Sequence, residues 1–435
     1  MKVGFASIDI TPPIGVELCG YGYFLGRRAE GVLDPLYARA VSIQQGEKTI
    51  LLINCDLIGL TQEITDGIKE QLSSRLGLEK RSIMISCTHT HSGPATGVLV
   101  GCGEVDESYM ASLPNLLIQA GVKAHKSLKE TKEIKYVNKL PIEPIGFNRV
   151  DKKGPLDNCI SGLVFEFNEG NPLALVHYAC HPVTLGPTKE ISADYPGRVV
   201  KALSENGYDG LFLNGFCGDV DPVSNLEGWG SGTTKTIDEY GQRIANAFLL
   251  NIDNSISITS VDLLECEVAT DVDGAAIDVD VDVAKIDAHE ITIELKLQPY
   301  DEAKIDEEYN FYRDQKNGQV VGIWADKMRE YLKTSENPYI ECVTVQMLKV
   351  SNVLIVGFPG EAFTELGMLI SKTLPDYKVI PLGNCNSTMR YIPTEDDIIN
   401  RGYAGHSSCF IYSRLPLIPG EGERLARSLS NIQVE

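Results

Sequence analysis

The chain has 435 residues, 43% apolar and 23% charged, an ordinary globular balance that suits one large α/β unit or two to three smaller domains. Sixty acidic against 39 basic residues leave a net charge of −21, which repels polyanions and anionic headgroups and argues against a nucleic-acid-binding role. No run approaches the roughly 20 apolar residues of a membrane span, the N-terminus has no apolar signal core, and the 11 cysteines form no C-x-x-C pair, so a cytoplasmic location with reduced thiols is expected.

In chain order, the N-terminus reads directly into a strand. Residues 49–54 and 82–87 are short apolar runs suited to central strands. Between them Ile64, Ile68, Leu72 and Leu76 repeat every fourth residue, which predicts a helix over 62–76. Leu113, Leu116, Leu117, Ala120 and Ala124 mark another helix after a loop at 92–106. Residues 174–179 and 211–214 read as buried strands separated by a helix near 198–206. This alternation predicts an α/β fold, a mixed β-sheet catalytic core flanked by helices. The stretch 256–300 is strand-rich, and 277–283 alternates so strictly that Asp278, Asp280 and Asp282 share one face. A solvated sheet face explains those three carboxylates better than calcium, since no EF-hand spacing accompanies them. Helical character at 301–334 is followed by β character at 342–358 and a helix over 361–373. The expected organisation is one catalytic domain over 1–435, with 256–339 as a β-rich insertion or subdomain within it.

Five segments carry candidate chemistry. Thr88-His89-Thr90-His91-Ser92-Gly93-Pro94 follows directly on a strand, where α/β folds place functional loops. In extended chain His89 and His91 point the same way, about 7 Å apart at ~3.3 Å per residue, so one can ligate a metal while the other reaches substrate. A polar loop with two solvated histidines is the plainer alternative. In His177-Tyr178-Ala179-Cys180-His181-Pro182 the spacing of four mimics a helical zinc pair, but the run is β-like and no Glu follows His177. Pro182 leaves His181 at the strand tip as the ligand candidate, with His177 buried and hydrogen-bonded. The glycine-rich segment 215–222 presents Asp219 and Asp221, suited to supporting a metal ligand or a substrate, and equally to an ordinary turn. Glu361 falls in the first turn of an expected helix, where the helix dipole favours a carboxylate in any case. Tyr391 and Tyr403 lie in the C-terminal region, where tyrosines usually pack. Two histidines and an acid suit a catalytic zinc with one position left for water.

Taken in order, several motifs resemble the neutral ceramidase family, the neutral/alkaline non-lysosomal ceramidases. They are Ala-Ser-Ile-Asp-Ile-Thr-Pro-Pro at 6–13, Cys19-Gly20-Tyr21-Gly22, Tyr37-Ala38-Arg39-Ala40, the Thr88-to-Pro94 motif, Asn148-Arg149, His181-Pro182, Gly218-Asp219-Val220, Pro359-Gly360-Glu361 and Tyr391-Ile392-Pro393-Thr394. The similarity covers roughly 1–225 and 350–405. It implies His89, His181, Glu361 and Tyr391 as zinc ligands, Tyr403 as a second active-site tyrosine, and His91 and Arg149 as substrate-contacting residues. Where the family reads Gly-Asp-Val-Ser-Pro this sequence has Asp221, which removes a serine nucleophile and leaves metal-activated water. The family often carries a C-terminal immunoglobulin-like domain and a secretion signal. Neither is expected here, and ceramide itself is then not the expected substrate.

The function expected from these readings is zinc-dependent hydrolysis of a linear amide, an N-acyl bond. His91 would serve as proton donor, Tyr403 and Arg149 would steady the oxyanion, and Asp219 or Asp221 would orient a ligand histidine or take a proton. The partner is a small-molecule N-acyl or ester substrate; the oligomeric state is not legible. Two alternatives use the same residues: an esterase or deacetylase of small polar substrates, and a catalytically degenerate ligand-binding protein.

Overall fold

The computed structural model describes residues 1–22, 25–258 and 285–431. Its first sheet comprises β1 (Lys2–Asp9), β2 (Tyr37–Gln45), β3 (Lys48–Cys55), β4 (Ile83–Cys87), β5 (Lys129–Pro141), β6 (Cys159–Phe167), β7 (Leu173–Tyr178) and β8 (Asp209–Asn214). Their spatial order is β8-β7-β6-β5-β1-β2-β3-β4, and the short strand Ile256–Ser257 lies beside β5. The pairs β3–β4 and β7–β8 are parallel, while the other neighbours are antiparallel. Each parallel pair is joined by a chain that includes a helix, α1 (Gln62–Leu76) for the first and α3 (Asp194–Glu205) for the second. Helix α1 occupies the predicted span, with Thr61 capping its start through Ile64 N and Gly77 closing it at φ 69°. Helices α1 and α2 (Glu107–Lys126) bury their apolar faces against β1–β4, and α3 and α4 (Thr234–Leu250) against β6–β8.

The second sheet has the order β9 (Ile286–Lys296), β10 (Ile340–Val350), β11 (Val353–Gly357), β12 (Lys378–Leu382). Strands β11 and β12 are buried on both faces, while β9 alternates buried with exposed positions. Ile286, Ala288, Leu348 and Val350 meet Val41, Leu52 and Phe165 of the first sheet. The alternate residues Ile293, Leu295, Val343, Val345 and Met347 meet α5 (Glu302–Tyr312), α6 (Gly318–Thr334) and α7 (Thr364–Thr373). The molecule is therefore a stack of helices, sheet, sheet and helices, which agrees with the expected mixed sheets and flanking helices.

Residues 285–339 are built into this second unit. Strand β9 is its edge, paired along its whole length with β10, and Trp324 of α6 is fully buried in the same apolar cluster as α7. The strand reading at 277–283, with Asp278, Asp280 and Asp282, lies outside the described residues. The helix expected over 361–373 begins only at Thr364. Glu361–Ala362 is instead a two-residue strand paired in parallel with Tyr391–Ile392. The carbonyls of Arg390 and Ile392 accept the Glu361 and Phe363 N–H groups at 3.0 and 3.1 Å, so extended backbone satisfies donors that a helix N-terminus would leave open. No helix of the described residues is long and apolar enough to cross a membrane, and their cysteines are all free thiols.

Candidate metal centre

Beyond β4, Thr88 N donates to Cys55 O and His89 N to Leu57 O, which extends the strand line by two residues. At His89 the backbone then enters the left-handed region, φ 70°, a conformation that costs a non-glycine residue energy. The extended geometry expected for His89 and His91 is thereby corrected: their ring centroids lie 4.9 Å apart, nearly perpendicular. His181, past the tip of β7, brings its ring to 5.1 Å from His89 and 5.7 Å from His91. Asn214 at the end of β8 donates to Thr88 O at 2.9 Å, which sets the ends of β8 and β4 side by side. Glu361 and Tyr391 are direct partners in the short parallel pair, so one backbone register sets both side chains.

The hydrogen bonds fix each histidine's tautomer. Nδ1 of His89, His91 and His181 meets the carbonyl oxygen of Ile58, Gly20 and Cys217 respectively. A carbonyl only accepts, so each Nδ1 carries a proton, and the neutral form of each ring presents its lone pair at Nε2. His181 Nε2 lies 2.8 Å from Glu361 Oε2 and His89 Nε2 lies 3.2 Å from the same oxygen. The Tyr391 hydroxyl is 3.5 Å from His181 Nε2. His91 Nε2 is buried and has no hydrogen-bond partner. One ligand atom each from His89, His91 and His181 falls within 4.8 Å of the others.

All these groups are buried. Burial pushes the His91 pKa well below its usual value, and charge on His89 and His181 adds to the effect. Burial alone would raise the Glu361 carboxyl, but the neighbouring His89 and His181 outweigh it and hold the group ionised. Burial, then Glu361, pushes the phenols of Tyr391 and Tyr412 up.

Tyr412, which the sequence reading missed, donates its hydroxyl to Glu361 Oε1. It comes from the short helix α8 (Ser408–Tyr412), and no motif distinguishes it. Gly20 was noted only as part of a motif. At φ 116° it lies so close to His91 that a Cβ would sit 2.5 Å from the ring, so only glycine lets that imidazole seat. Arg27, also missed, is a buried cation that donates to Cys19 O at 2.6 Å and His91 O at 2.8 Å, clamping both loops.

Arg149 follows the strand Gly146–Asn148 and donates to the Tyr391 hydroxyl at 3.0 Å, Gly218 O at 2.7 Å and Asp221 Oδ1 at 3.1 Å. Its guanidinium lies 5.8 Å from the Tyr403 ring centre. Tyr403 is half-exposed at the cavity mouth. The suggestion that Asp219 or Asp221 orients a ligand histidine is corrected, because backbone carbonyls take those protons. Asp219 accepts from Asn148 Nδ2 and from Thr364 N, both at 2.8 Å, and anchors the start of α7. Asp221 is the counter-ion of Arg149. His177 is buried between Ser161 Oγ and Pro381 O, apart from the cluster.

A cavity of about 270 Å³ opens above the cluster, lined by His91, Arg149, Glu361, Tyr391 and Tyr403 and by the apolar Leu99, Cys102, Val183, Trp229 and Ile411. The donor set fits zinc. Two imidazole nitrogens and a carboxylate oxygen face one another at 2.8 and 3.2 Å, and when the imidazoles are neutral a cation between them turns repulsion into ligation. A tetrahedral ion with bonds of 2.0–2.1 Å has ligand–ligand edges of about 3.3 Å, close to the 3.2 Å from His89 to Glu361 and the 3.5 Å from Tyr391 to His181, while the 2.8 Å between His181 and Glu361 is shorter.

Fold and site together define a sheet-on-sheet α/β scaffold with a buried histidine–carboxylate–phenol centre beneath a small cavity. Residues 1–150 match the family model described as neutral/alkaline non-lysosomal ceramidase, N-terminal. The chain is 25% identical over 262 residues to Neutral ceramidase 3 of Arabidopsis thaliana, which covers 57% of this chain and 35% of that protein. It thus spans about a third of the length of that curated relative. Over 99% of its length its fold is similar to the crystal structure of neutral ceramidase from Pseudomonas aeruginosa, with TM-score 0.72, 16% identity and 73% of that chain covered. A ceramidase complexed with C2 gives TM-score 0.73 at 14% identity over 74% of its chain. Residues 1–150 are thus similar to the N-terminal domain of the neutral/alkaline ceramidases, and the chain has the fold of the neutral ceramidase structures.

Proposed function

We propose that this protein is a zinc-dependent hydrolase that cleaves an N-acyl amide bond in a substrate other than ceramide. The observation that carries the reading is the meeting of His89 Nε2, His181 Nε2 and Glu361 Oε2, three ligand-type atoms that converge in the buried site. Similarity to proteins named ceramidases supports an amide over an ester.

His89, His181, Glu361 and Tyr391 would hold the zinc, which when bound supplies Lewis acidity at neutral pH. His91, with Nδ1–H tied to Gly20 O, has a lone pair on Nε2 and nothing to share it with. It is placed to take a proton from the attacking water and return it to the leaving nitrogen. Arg149, held by Asp221, presents its guanidinium beside Tyr391 and Tyr403 to steady the carbonyl oxygen. Asp221 acts as a positioning residue for Arg149. The buried walls around the cluster keep bulk water out and strengthen each of these contacts.

The test is metal analysis of the purified chain together with hydrolysis of N-acyl amides and the matching esters, before and after chelation. One zinc per chain and amide cleavage lost on chelation are expected. Amide cleavage at the parental rate by metal-stripped protein would overturn the reading.

A further inference from the structure

Resting on the hydrolase reading above, we infer that Arg27 is a positioning residue for His91: its guanidinium ties the backbone of the histidine to the segment that receives the histidine's ring proton. His91 donates Nδ1–H to Gly20 O at 2.6 Å, and in the neutral ring this leaves Nε2 as the lone-pair nitrogen. That bond lasts only while residues 20 and 91 keep their separation. Arg27 Nη2 donates to Cys19 O at 2.6 Å, one peptide ahead of Gly20, and to His91 O at 2.8 Å. Its Nη1 donates to Thr188 O at 3.0 Å, so one planar group joins three segments. The guanidinium carbon also lies 5.0 Å from the centre of the Tyr21 ring, and that ring meets His91 edge-on at 5.5 Å. The backbone of His91, the acceptor of its ring proton and one side of its ring are thus all set by segments that Arg27 holds.

The chemistry of this contact points beyond filling space. Arg27 is 7% exposed, and its hydrogen-bond acceptors among the described residues are all backbone carbonyls. Burying a cation without a carboxylate is costly, and burial pushes this guanidinium's pKa below its ordinary value. A neutral apolar side chain would fill the space at less cost, but three carbonyl oxygens would then lose the donors of a planar fork. The proposed ligand histidines are held differently. The carbonyls that take their Nδ1 protons belong to Ile58 and Cys217, both in the packed core, whereas Gly20 lines the cavity. The acceptor for His91 therefore sits on a segment that the core does not fix, and Arg27 supplies the fixing. Folding does not rest on this side chain alone. Cys19 N donates to Gly93 O at 3.0 Å and Leu18 N to Arg27 O at 2.8 Å, backbone bonds that a side-chain substitution leaves in place.

The experiment compares the zinc-loaded full chain with Arg27→Ala. It reads zinc content, kcat and KM on N-acyl p-nitroanilides from acetyl to hexadecanoyl, and the nitrogen NMR spectrum of the histidine rings, with His91 assigned from His91→Gln. In Arg27→Ala, zinc is expected to stay, kcat to fall about 100-fold with KM within about twofold, and the His91 Nδ1–H resonance to be lost to exchange. Guanidinium chloride below denaturing concentrations should restore the resonance and about tenfold of the rate, while sodium chloride at equal ionic strength restores neither. A parental kcat, an unchanged His91 resonance, or zinc lost in step with the rate would overturn the inference. Should Arg27→Ala not fold, Arg27→Lys carries the same readouts. It keeps the charge but offers one nitrogen to three carbonyls, so a fall in kcat of about tenfold with a weakened resonance is expected, and parental values would overturn the inference. A His91 resonance that responds as expected in a chain with no amide turnover would sink the hydrolase reading and leave the positioning of His91 standing.

Discussion

His181 Nε2 and Glu361 Oε2 lie 2.8 Å apart although 180 residues separate them in the chain. With His181 Nδ1 donating to Cys217 O, the neutral imidazole turns a lone pair at Nε2 toward the carboxylate. A bound cation makes this contact between a neutral imidazole and a carboxylate favourable. His89→Ala removes one of the converging lone pairs, and we expect its zinc content to fall from about one per chain to below about 0.1, with amide hydrolysis lost. Chelation of the parent should lower stability by the lost binding energy, about 2.7 kcal/mol when free zinc had stood at a hundred times its Kd. Parental zinc content in the variant would refute the assignment of His89 as a ligand.

The histidines alone offer a competing ligand set, His89 with His91 and His181. The two sets make opposite forecasts for His91→Ala. If His91 moves a proton, the variant keeps its zinc and loses turnover by about 10²–10⁴. If His91 is a ligand, zinc and turnover fall together. Its Nε2 is the one without a partner, while His89 and His181 both face Glu361 Oε2, so retention of zinc is the expected result. Metal analysis alongside single-turnover rates separates the outcomes.

The elements around this site differed in how well their own residues announced them. Helix α1 carries a fourfold apolar repeat, a threonine cap and a closing glycine, all local signals, and it lies where that repeat placed it. The motif containing His89 and His91 stood out because it follows an apolar strand, yet their mutual geometry did not, since it depends on φ 70° at His89, which only tertiary contacts enforce. Glu361 seemed to open a helix because its own segment has helical composition. The competing bond donors and acceptors lie some 30 residues on, at Arg390 and Ile392, and no window on the Glu361 segment contains them. Tyr412 and Arg27 were invisible for the same reason: their partners, Glu361 and the carbonyls of Cys19 and His91, are set by the fold.

Tyr412 gives a finer probe of the centre. Its hydroxyl holds the Glu361 oxygen that does not face the histidines, and so sets the carboxylate plane. Tyr412→Phe should retain the fold, cost about 1 kcal/mol of stability and weaken zinc binding by about 10–100-fold. Competition with a chelator of known affinity measures the change. Zinc affinity equal to the parent would show that the hydrogen bond serves packing alone.

Outside the centre, Glu308 links α5 to the helical turn Tyr403–Ser407 that carries Tyr403. Its Oε1 meets Arg401 Nη2 at 2.8 Å and His406 Nε2 at 3.1 Å. Burial alone would raise this carboxyl, but hydrogen bonds and charge from His406 and Arg401 prevail and bring it from 4.5 to about 2. Between those two pH values the unfolded chain takes up a proton that the folded chain refuses, so the pair's contribution is complete above about 4.5 and is lost as pH falls toward about 2. Because Arg401 is more than half exposed, the contribution is discounted to about 1–2 kcal/mol. In urea unfolding, Glu308→Gln should therefore be less stable than the parent by that amount at about pH 6, and the difference should close as pH approaches 2. A stability gap that stays constant across this range would mean that the charge on Glu308 plays no part in holding the turn.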